Sequence, residues 1–503
     1  MANNTLIAKN AIFLYFRMAF VMIVSIYVSR VVLAQLGETD FGIYNVIGGV
    51  VAMILSVNSA LSFGTQRFIS FYLGKGNTDD LRKTFSSSFI IHLLLGLIIV
   101  LLLETIGVWF VNNVLVIPHD RMYAANVVLH VSVVSTFLVI IQVPFTALII
   151  AHERMNLYAY VALVDCALKL WIAFQLSSAS SDKLIYYSIL MAIVQLIQIL
   201  IYVSYCFFKF EESKLFVCKD KSLYKEITRY SGWNLLGTVG FMLSDQGVNM
   251  LLNIFYGPVI NAARAVAMQI NNAVRQFIMN LQTAFNPQLV KMYAQDDRQG
   301  MLHLLNNNVK YSLTLLWVLF LPIFFEMDYL LSIWLVKVPD YSSVFARIII
   351  LRLFLVCFEQ PFITVNGATG NNKTFVVVSA CFLLSVLPLS YISLLVTDLP
   401  QVVFVIDLIV YIALVLWKVF YLKRQVGLSP YELFFQVIKP VAAVAVISII
   451  PLLLINSLMQ PSLFRFCMSV ILSLLVNIAL VWNIILGSNA KSICFSKVRQ
   501  LFT

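Results

Sequence analysis

The stretch FSSSFIIHLLLGLIIVLLLETIGVWF, residues 85–110, decides the fold class. Glu104 is its sole formal charge, and roughly 20 apolar residues already suffice for a helix to cross a bilayer. Inside lipid a helix satisfies its own backbone donors and acceptors, which an isolated strand cannot do. The run is bounded by Arg82 and Lys83 on one side and by Pro118, His119, Asp120 and Arg121 on the other.

Working outward, charged or turn-rich breaks divide the chain into fourteen such helices. They are expected near 11–35, 42–66, 85–110, 123–151, 158–177, 184–208, 232–254, 258–290, 310–327, 344–366, 375–396, 401–422, 438–456 and 464–486. Composition agrees: of 503 residues, 61% are hydrophobic and 11% charged, against roughly a quarter charged in soluble proteins. The class is an all-α polytopic membrane protein, which excludes a soluble enzyme and a nucleic-acid binder. With loops assigned alternately from an inner N-terminus, the inner side holds 22 Lys and Arg and the outer side 4. The positive-inside rule then puts both termini in the cytoplasm. Most of the net charge of +11 is topological and needs no acidic partner.

Short loops leave no room for an extramembrane catalytic domain. Residues Leu73 to Thr78 lack the spacing that wraps a phosphate, and the cluster His119, Asp120 and Arg121 reads as a solvated turn. The seven cysteines form no CxxC pair, so no metal site or cofactor is expected.

Gln142, Pro144 and Phe145 recur as Gln360, Pro361 and Phe362, and Tyr72 and Leu81 recur as Tyr293 and Leu302. The near-constant offset predicts duplicated six-helix lobes. The expected domains are an N-terminal lobe (1–208), a cytoplasmic linker (209–231), a C-terminal lobe (232–422), and helices thirteen and fourteen with a cytoplasmic tail (423–503).

Charges at membrane depth are costly and should face one another or a wet cavity. Eight bases (Arg17, Arg30, Lys169, Arg264, Arg275, Arg347, Arg352, Lys418) meet five acids (Glu104, Asp165, Asp245, Glu359, Asp407). Helix eight is the most informative: Asn261, Arg264, Asn271, Asn272, Arg275, Gln282 and Asn286 fall within an arc of roughly 100°. That cationic stripe reads as cavity lining, with a hydrogen-bonded helix seam as the alternative. On helix seven, Asn234, Thr238, Asp245 and Asn249 share a face. On helix ten Arg352, Glu359 and Asn366 follow a seven-residue stripe, with a structural ion pair as the plain reading. Asp165 and Lys169, at i and i+4, should neutralise each other. Arg30, Arg347 and Lys418 lie near helix ends and can snorkel.

The ordered set Leu36-Gly37-Glu38-Thr39-Asp40-Phe41-Gly42-Ile43-Tyr44, Arg67-Phe68-Ile69, Tyr72-Leu73-Gly74, Asn261-Ala262-Ala263-Arg264-Ala265 and Asn286-Pro287-Gln288-Leu289 resembles the Wzx-type oligosaccharide flippases. These belong to the multidrug, oligosaccharidyl-lipid and polysaccharide exporter superfamily. The resemblance implies two six-helix lobes around a central cavity and alternating access, with the last two helices beside a lateral groove. It implies transport of undecaprenyl-pyrophosphate-linked oligosaccharide to the outer leaflet of the bacterial plasma membrane, for surface polysaccharides such as O-antigen. The substrate-binding residues it suggests are Arg264 and Arg275 first, then Arg17, with Asn271 and Asn272 for sugar hydroxyls and with Arg30, Arg352 and Lys169 as weaker candidates.

Asp245 and Glu359 are the candidates for proton or sodium coupling or for charge balance. The implied partners are the lipid-linked oligosaccharide, membrane lipid, and a glycan polymerase and glycosyltransferases, with the transporter itself a monomer. The rivals are an ion-coupled multidrug antiporter of the same superfamily, a peptidoglycan lipid-precursor flippase and, from a different class, a membrane-embedded glycan polymerase or ligase.

Overall fold

A computed structural model of the chain describes residues 4–74, 78–152, 154–214, 240, 242–369 and 373–486. Among these residues the regular structure is helical and there is no strand. The helices are α1 (Asn4–Gly74), α2 (Thr78–Leu102), α3 (Val108–Asn113), α4 (Met122–Ala151), α5 (Met155–Ser177), α6 (Lys183–Lys209), α7 (242–256) and α8 (Pro258–Ala294). They continue with α9 (Arg298–Phe325), α10 (Met327–Trp334), α11 (Ser342–Ala368), α12 (Lys373–Val396), α13 (Val402–Val426), α14 (Pro430–Leu433), α15 (Lys439–Leu458) and α16 (Leu463–Leu480).

Eleven helical segments among the described residues are long and apolar enough to cross a membrane. Three of the fourteen expected spans do not appear as separate candidates. The span expected at 42–66 is the second arm of α1, joined to the first through Gly37 (φ 76, ψ 173). That conformation is reserved almost wholly for glycine, and it marks a break between two helices rather than one rod. The span at 232–254 lies partly outside the described residues. The span at 258–290 is helical as α8 but carries the polar stripe.

The chain forms two compact units. Unit 1 comprises Met1–Ala265, Leu335–Pro339 and Leu383–Val403, and unit 2 comprises Val266–Trp334, Asp340–Phe382 and Phe404–Thr503. In unit 1 the interior is apolar where α2, α4 and α6 meet, around Phe85, Phe145, Leu148 and Tyr202. The second arm of α1 comes close to the start of α8 at Gly42, where a Cβ would sit 1.8 Å from the Pro258 carbonyl oxygen. Only glycine permits that approach.

The repeated prolines Pro144 and Pro361 both lie inside helices, in α4 and α11, and both are buried. Some helix starts carry side-chain caps. Asp182 accepts from the backbone of Leu184 and Ile185 on α6, and Ser462 accepts from the Arg465 backbone on α16.

Candidate functional site

In unit 1 the polar residues of α7 and α8 close on one another. Gly257, at φ 79, is the single residue between the two helices. The Asn261 amide donates to the Asn249 carbonyl at 2.7 Å and to its Oδ1 at 2.8 Å. Asn253 donates to Asn261 Oδ1 at 3.1 Å, and its own Oδ1 accepts from the Val116 backbone at 2.8 Å. Asn249 reaches back to the Asn45 carbonyl on α1 at 3.5 Å. Arg264 lies within this network, its side chain 7% exposed, and Nη2 donates to Asp245 Oδ1 at 2.8 Å and to the Asp245 carbonyl at 2.9 Å. Gln246 donates to the other Asp245 oxygen at 2.8 Å. Arg264 and Asp245 therefore balance each other's charge. Asn234 and Thr238, expected on the same face, lie outside the described residues.

In unit 2 the remainder of the α8 stripe divides again. Gln282 donates to the Cys357 carbonyl on α11 at 2.8 Å, and Asn286 Oδ1 accepts from Thr364 at 3.1 Å. Asn271 is buried and donates to its neighbour Asn272 at 3.3 Å, while Asn272 is exposed. Arg275 is half-buried and makes no ion pair or hydrogen bond among the described residues. The stripe thus splits into a helix seam at both ends and a short cationic and amide stretch at 271–275. The seam reading accounts for the two ends of the helix, and residues 271–275 lie outside that seam.

Helices α11 and α13 carry a neutral charge ladder. Arg352 pairs with Asp407 at 3.1 Å and lies over the Tyr411 ring, 4.3 Å from its centroid. Glu359 accepts from Lys418 Nζ at 3.2 Å and from the Tyr411 hydroxyl. Arg352 and Glu359 are both held in structural ion pairs, each with its partner on α13. Lys418 does not snorkel: it is 1% exposed and held by Glu359. Asp165 does bond Lys169, at 2.8 Å, and also accepts from Gln198 at 2.6 Å. Glu104 meets His130 at 2.8 Å. Each of the five intramembrane acids thus has a basic partner, so none is left over to meet a cationic solute. Arg30 is also engaged within the structure. Arg17 lies on α1, and its side chain is outside the described residues.

Three features were missed in the sequence reading. Arg465, assigned to an outer loop, begins α16, is buried, and donates to Glu326 Oε2 at 2.7 Å, while Ser469 donates to Oε1 at 3.0 Å. No local spacing links residues so far apart. Asn253 could have been found, since it extends the Asn249 face by one turn. Elsewhere in unit 1, Arg121 forks between two carboxylates, with Asp40 and Asp182 each at 2.6 Å. The Arg121 hydrogen bond holds the Asp182 carboxyl below its ordinary range.

Residues 14–174 match the MatE family model. No curated protein sequence matches the chain. Among solved structures, an inward-facing multidrug-resistance MATE family transporter of the MOP superfamily superposes with TM-score 0.70 at 13% identity, covering 82% of this chain and 97% of its own. The lipid II flippase MurJ, in an inward closed conformation, superposes with TM-score 0.70 at 15% identity, covering 93% of this chain and 98% of its own. A MOP superfamily transporter from Pyrococcus furiosus, described as having a binding pocket of reversed polarity, gives TM-score 0.60 at 14% identity, covering 83% and 95%. The fold is the one these MATE and MurJ structures share.

Proposed function

We propose that the chain is a Wzx-type flippase that carries undecaprenyl-pyrophosphate-linked oligosaccharide from the inner to the outer leaflet of the bacterial plasma membrane by alternating access. In this reading it makes fourteen crossings with both termini in the cytoplasm. The observation that carries the proposal is Arg275: a half-buried guanidinium on a membrane-depth helix with no ion pair among the described residues. Such a cation needs an anionic partner, and a diphosphate supplies oxygens in the geometry a guanidinium fork prefers. Asn271 and Asn272 precede it on α8 and suit sugar hydroxyls.

Arg264 is assigned to holding α7 against α8 rather than to the substrate. The multidrug alternative requires a carboxylate for an organic cation, and the five membrane-depth acids are all engaged by bases. The MurJ fold extends over 93% of the chain against 82% for the MATE structure. A peptidoglycan lipid precursor shares the diphosphate and polyprenyl chemistry and is the second reading.

The test is the sidedness of lipid-linked oligosaccharide in cells lacking the gene. Cytoplasmic accumulation with loss of surface glycan, restored by the intact chain and not by Arg275→Gln, is the expected result. Unchanged sidedness and glycan, with redundant flippases removed, would overturn the proposal. Accumulation of lipid II instead would transfer it to the second reading.

A further inference from the structure

In unit 1, residues 78–113 form one helical run through α2, a π-helical turn at Leu103–Gly107 and α3, and α4 packs beside it. Two polar contacts cross this seam. His130 Nδ1 lies 2.8 Å from Glu104 Oε2 and 3.0 Å from Oε1. Asn112 and Asn126 each donate through Nδ2 to the other's Oδ1, both at 2.9 Å.

The Glu104–His130 pair is not buried in the unit: the His130 side chain is 50% exposed and that of Glu104 36%. A carboxylate only accepts, so the Nδ1 that faces Glu104 carries a proton. The opposite ring nitrogen, Nε2, makes no hydrogen bond among the described residues. The π-helical turn itself carries Glu104, and single turns of this kind are frequent at functional sites.

The surface around the pair is one that faces lipid. Leu94, Leu97, Leu101 and Ile106 on the 78–113 run, and Val134 on α4, are all exposed. Trp109 and Tyr123 are exposed as well, and such amphipathic rings settle at the membrane–water boundary. Glu104 lies five residues before Trp109 and His130 seven after Tyr123, which puts the pair ~7–11 Å deeper, among the acyl chains. An acid and a base inside a membrane ordinarily face the bundle interior or a wet cavity. Here the internal pairing balances the charges but leaves Nε2 and the spare carboxylate lone pairs turned to hydrocarbon. A polar face on another membrane helix is what relieves them.

The composition of the ridge selects that face. It is charge-neutral, so it does not favour a headgroup phosphate, which needs a cationic patch. Its acid and base stand at one depth, because they bond each other. A two-fold axis along the membrane normal keeps every group at its own depth and meets the ridge with a copy of itself. Glu104 of one copy then comes level with His130 of the other, and the reverse. With both ring nitrogens protonated, His130 donates from Nδ1 to its own Glu104 and from Nε2 to the second copy's carboxylate, which has lone pairs to spare. Two acids and two imidazolium rings close a neutral cycle. Asn112 and Asn126, each both donor and acceptor, match their own copies at the next level. A foreign helix would have to carry an acid and a base at matching depth, whereas a second copy supplies them by construction.

We propose that the exposed α2–α4 face centred on Glu104 and His130 is a homodimer interface within the membrane, occupied by a second copy of this chain. The dimer departs from the monomer that the family resemblance implies, and it does not depend on the identity of the substrate.

The test keeps the full chain in a bilayer, because detergent covers the same apolar face. Photoreactive benzoylphenylalanine at Leu101 or Val134, both exposed beside the pair, should give a product of twice the chain mass on irradiation. The same group at Ile450, exposed on α15, should not. Two differently tagged copies expressed together should both appear in that product, and the fluorescently labelled chain in dilute liposomes should bleach in two steps. Glu104→Leu/His130→Leu puts apolar groups on a lipid-facing site, so it should insert normally yet lower the dimer's association constant about tenfold or more. Should that variant fail to insert, Glu104→Gln, which keeps the shape and removes the charge, is expected to weaken the dimer in the same direction. Single-step bleaching with crosslinks to lipid alone would overturn the proposal. So would a dimer unaffected by both variants. A crosslinked product holding a different protein, with only one tag in it, would overturn the second copy and give the face to that protein.

Discussion

Asparagine at Asp245 removes the carboxylate that Arg264 faces at 2.8 Å and leaves a guanidinium whose side chain is 7% exposed. Breaking one partner of a buried pair costs about 3–5 kcal/mol, mainly because the other charge stays buried and unpaired. Asp245 is itself 22% exposed, so the lower end of that range applies. For domains of 150–250 residues about 1 kcal/mol corresponds to ~2–4 °C, so Asp245→Asn and Arg264→Gln should each lower the Tm by roughly 6–12 °C. The double variant Asp245→Asn/Arg264→Gln removes both charges and keeps amide hydrogen bonding, so it should recover more than half of the loss. Fluorescence-detected size exclusion after heating gives the apparent Tm of the three variants, and glycan sidedness in cells gives transport. A double variant no more stable than either single one would refute the pairing argument. A stable but transport-dead Arg264→Gln would return Arg264 to the substrate.

Arg121→Gln removes the guanidinium from Asp40 and Asp182, whose side chains are 16% and 31% exposed, and should cost about 1–3 kcal/mol in thermal unfolding. Because the folded Asp182 carboxyl titrates below its ordinary value, its contribution is full above about pH 4 and is lost as pH falls through the folded value; Arg121→Gln should flatten that acid limb in a Tm–pH series. Gly42→Ala places a Cβ 1.8 Å from the Pro258 carbonyl and should abolish folded monomer on size exclusion, whereas Gly48→Ala, with nothing within 4 Å, should be neutral or stabilising. Glu326→Gln leaves Arg465 buried without its carboxylate and should cost about 3–5 kcal/mol of unfolding free energy, relieved by adding Arg465→Met.

The helices were legible because bilayer thickness imposes a long apolar run on each span. The eleven apolar helices follow directly from that constraint, and α8 escapes it only through its stripe of amides and arginines. Charge pairing was legible only where the partners share a helix: the i, i+4 pair of Asp165 and Lys169 was readable, while the partners of Arg352 and Glu359 were not. Their seven-residue spacing is equally compatible with two partners on α13, and helical periodicity carries no information about which neighbour lies alongside. The same limit hid Glu326 beneath Arg465. On α8, periodicity gathered seven polar residues onto one face, but it could not tell those bonded to α7 or α11 from Arg275, which is not.

The link between α7 and α8 also bears on how the chain is made. Under the fourteen-crossing reading, Asp245 and Arg264 would each oppose insertion by about 2.5–3.5 kcal/mol if their helices entered lipid separately. With Gly257 alone between the helices, neither segment can be released far from the other, and the two charges can meet while still beside the translocon. The α7–α8 hairpin, rather than either helix, would then be the smallest piece that partitions favourably. A nascent chain truncated after Tyr256 should leave Asp245 stranded and its helix poorly inserted, and extension through Arg264 should rescue it.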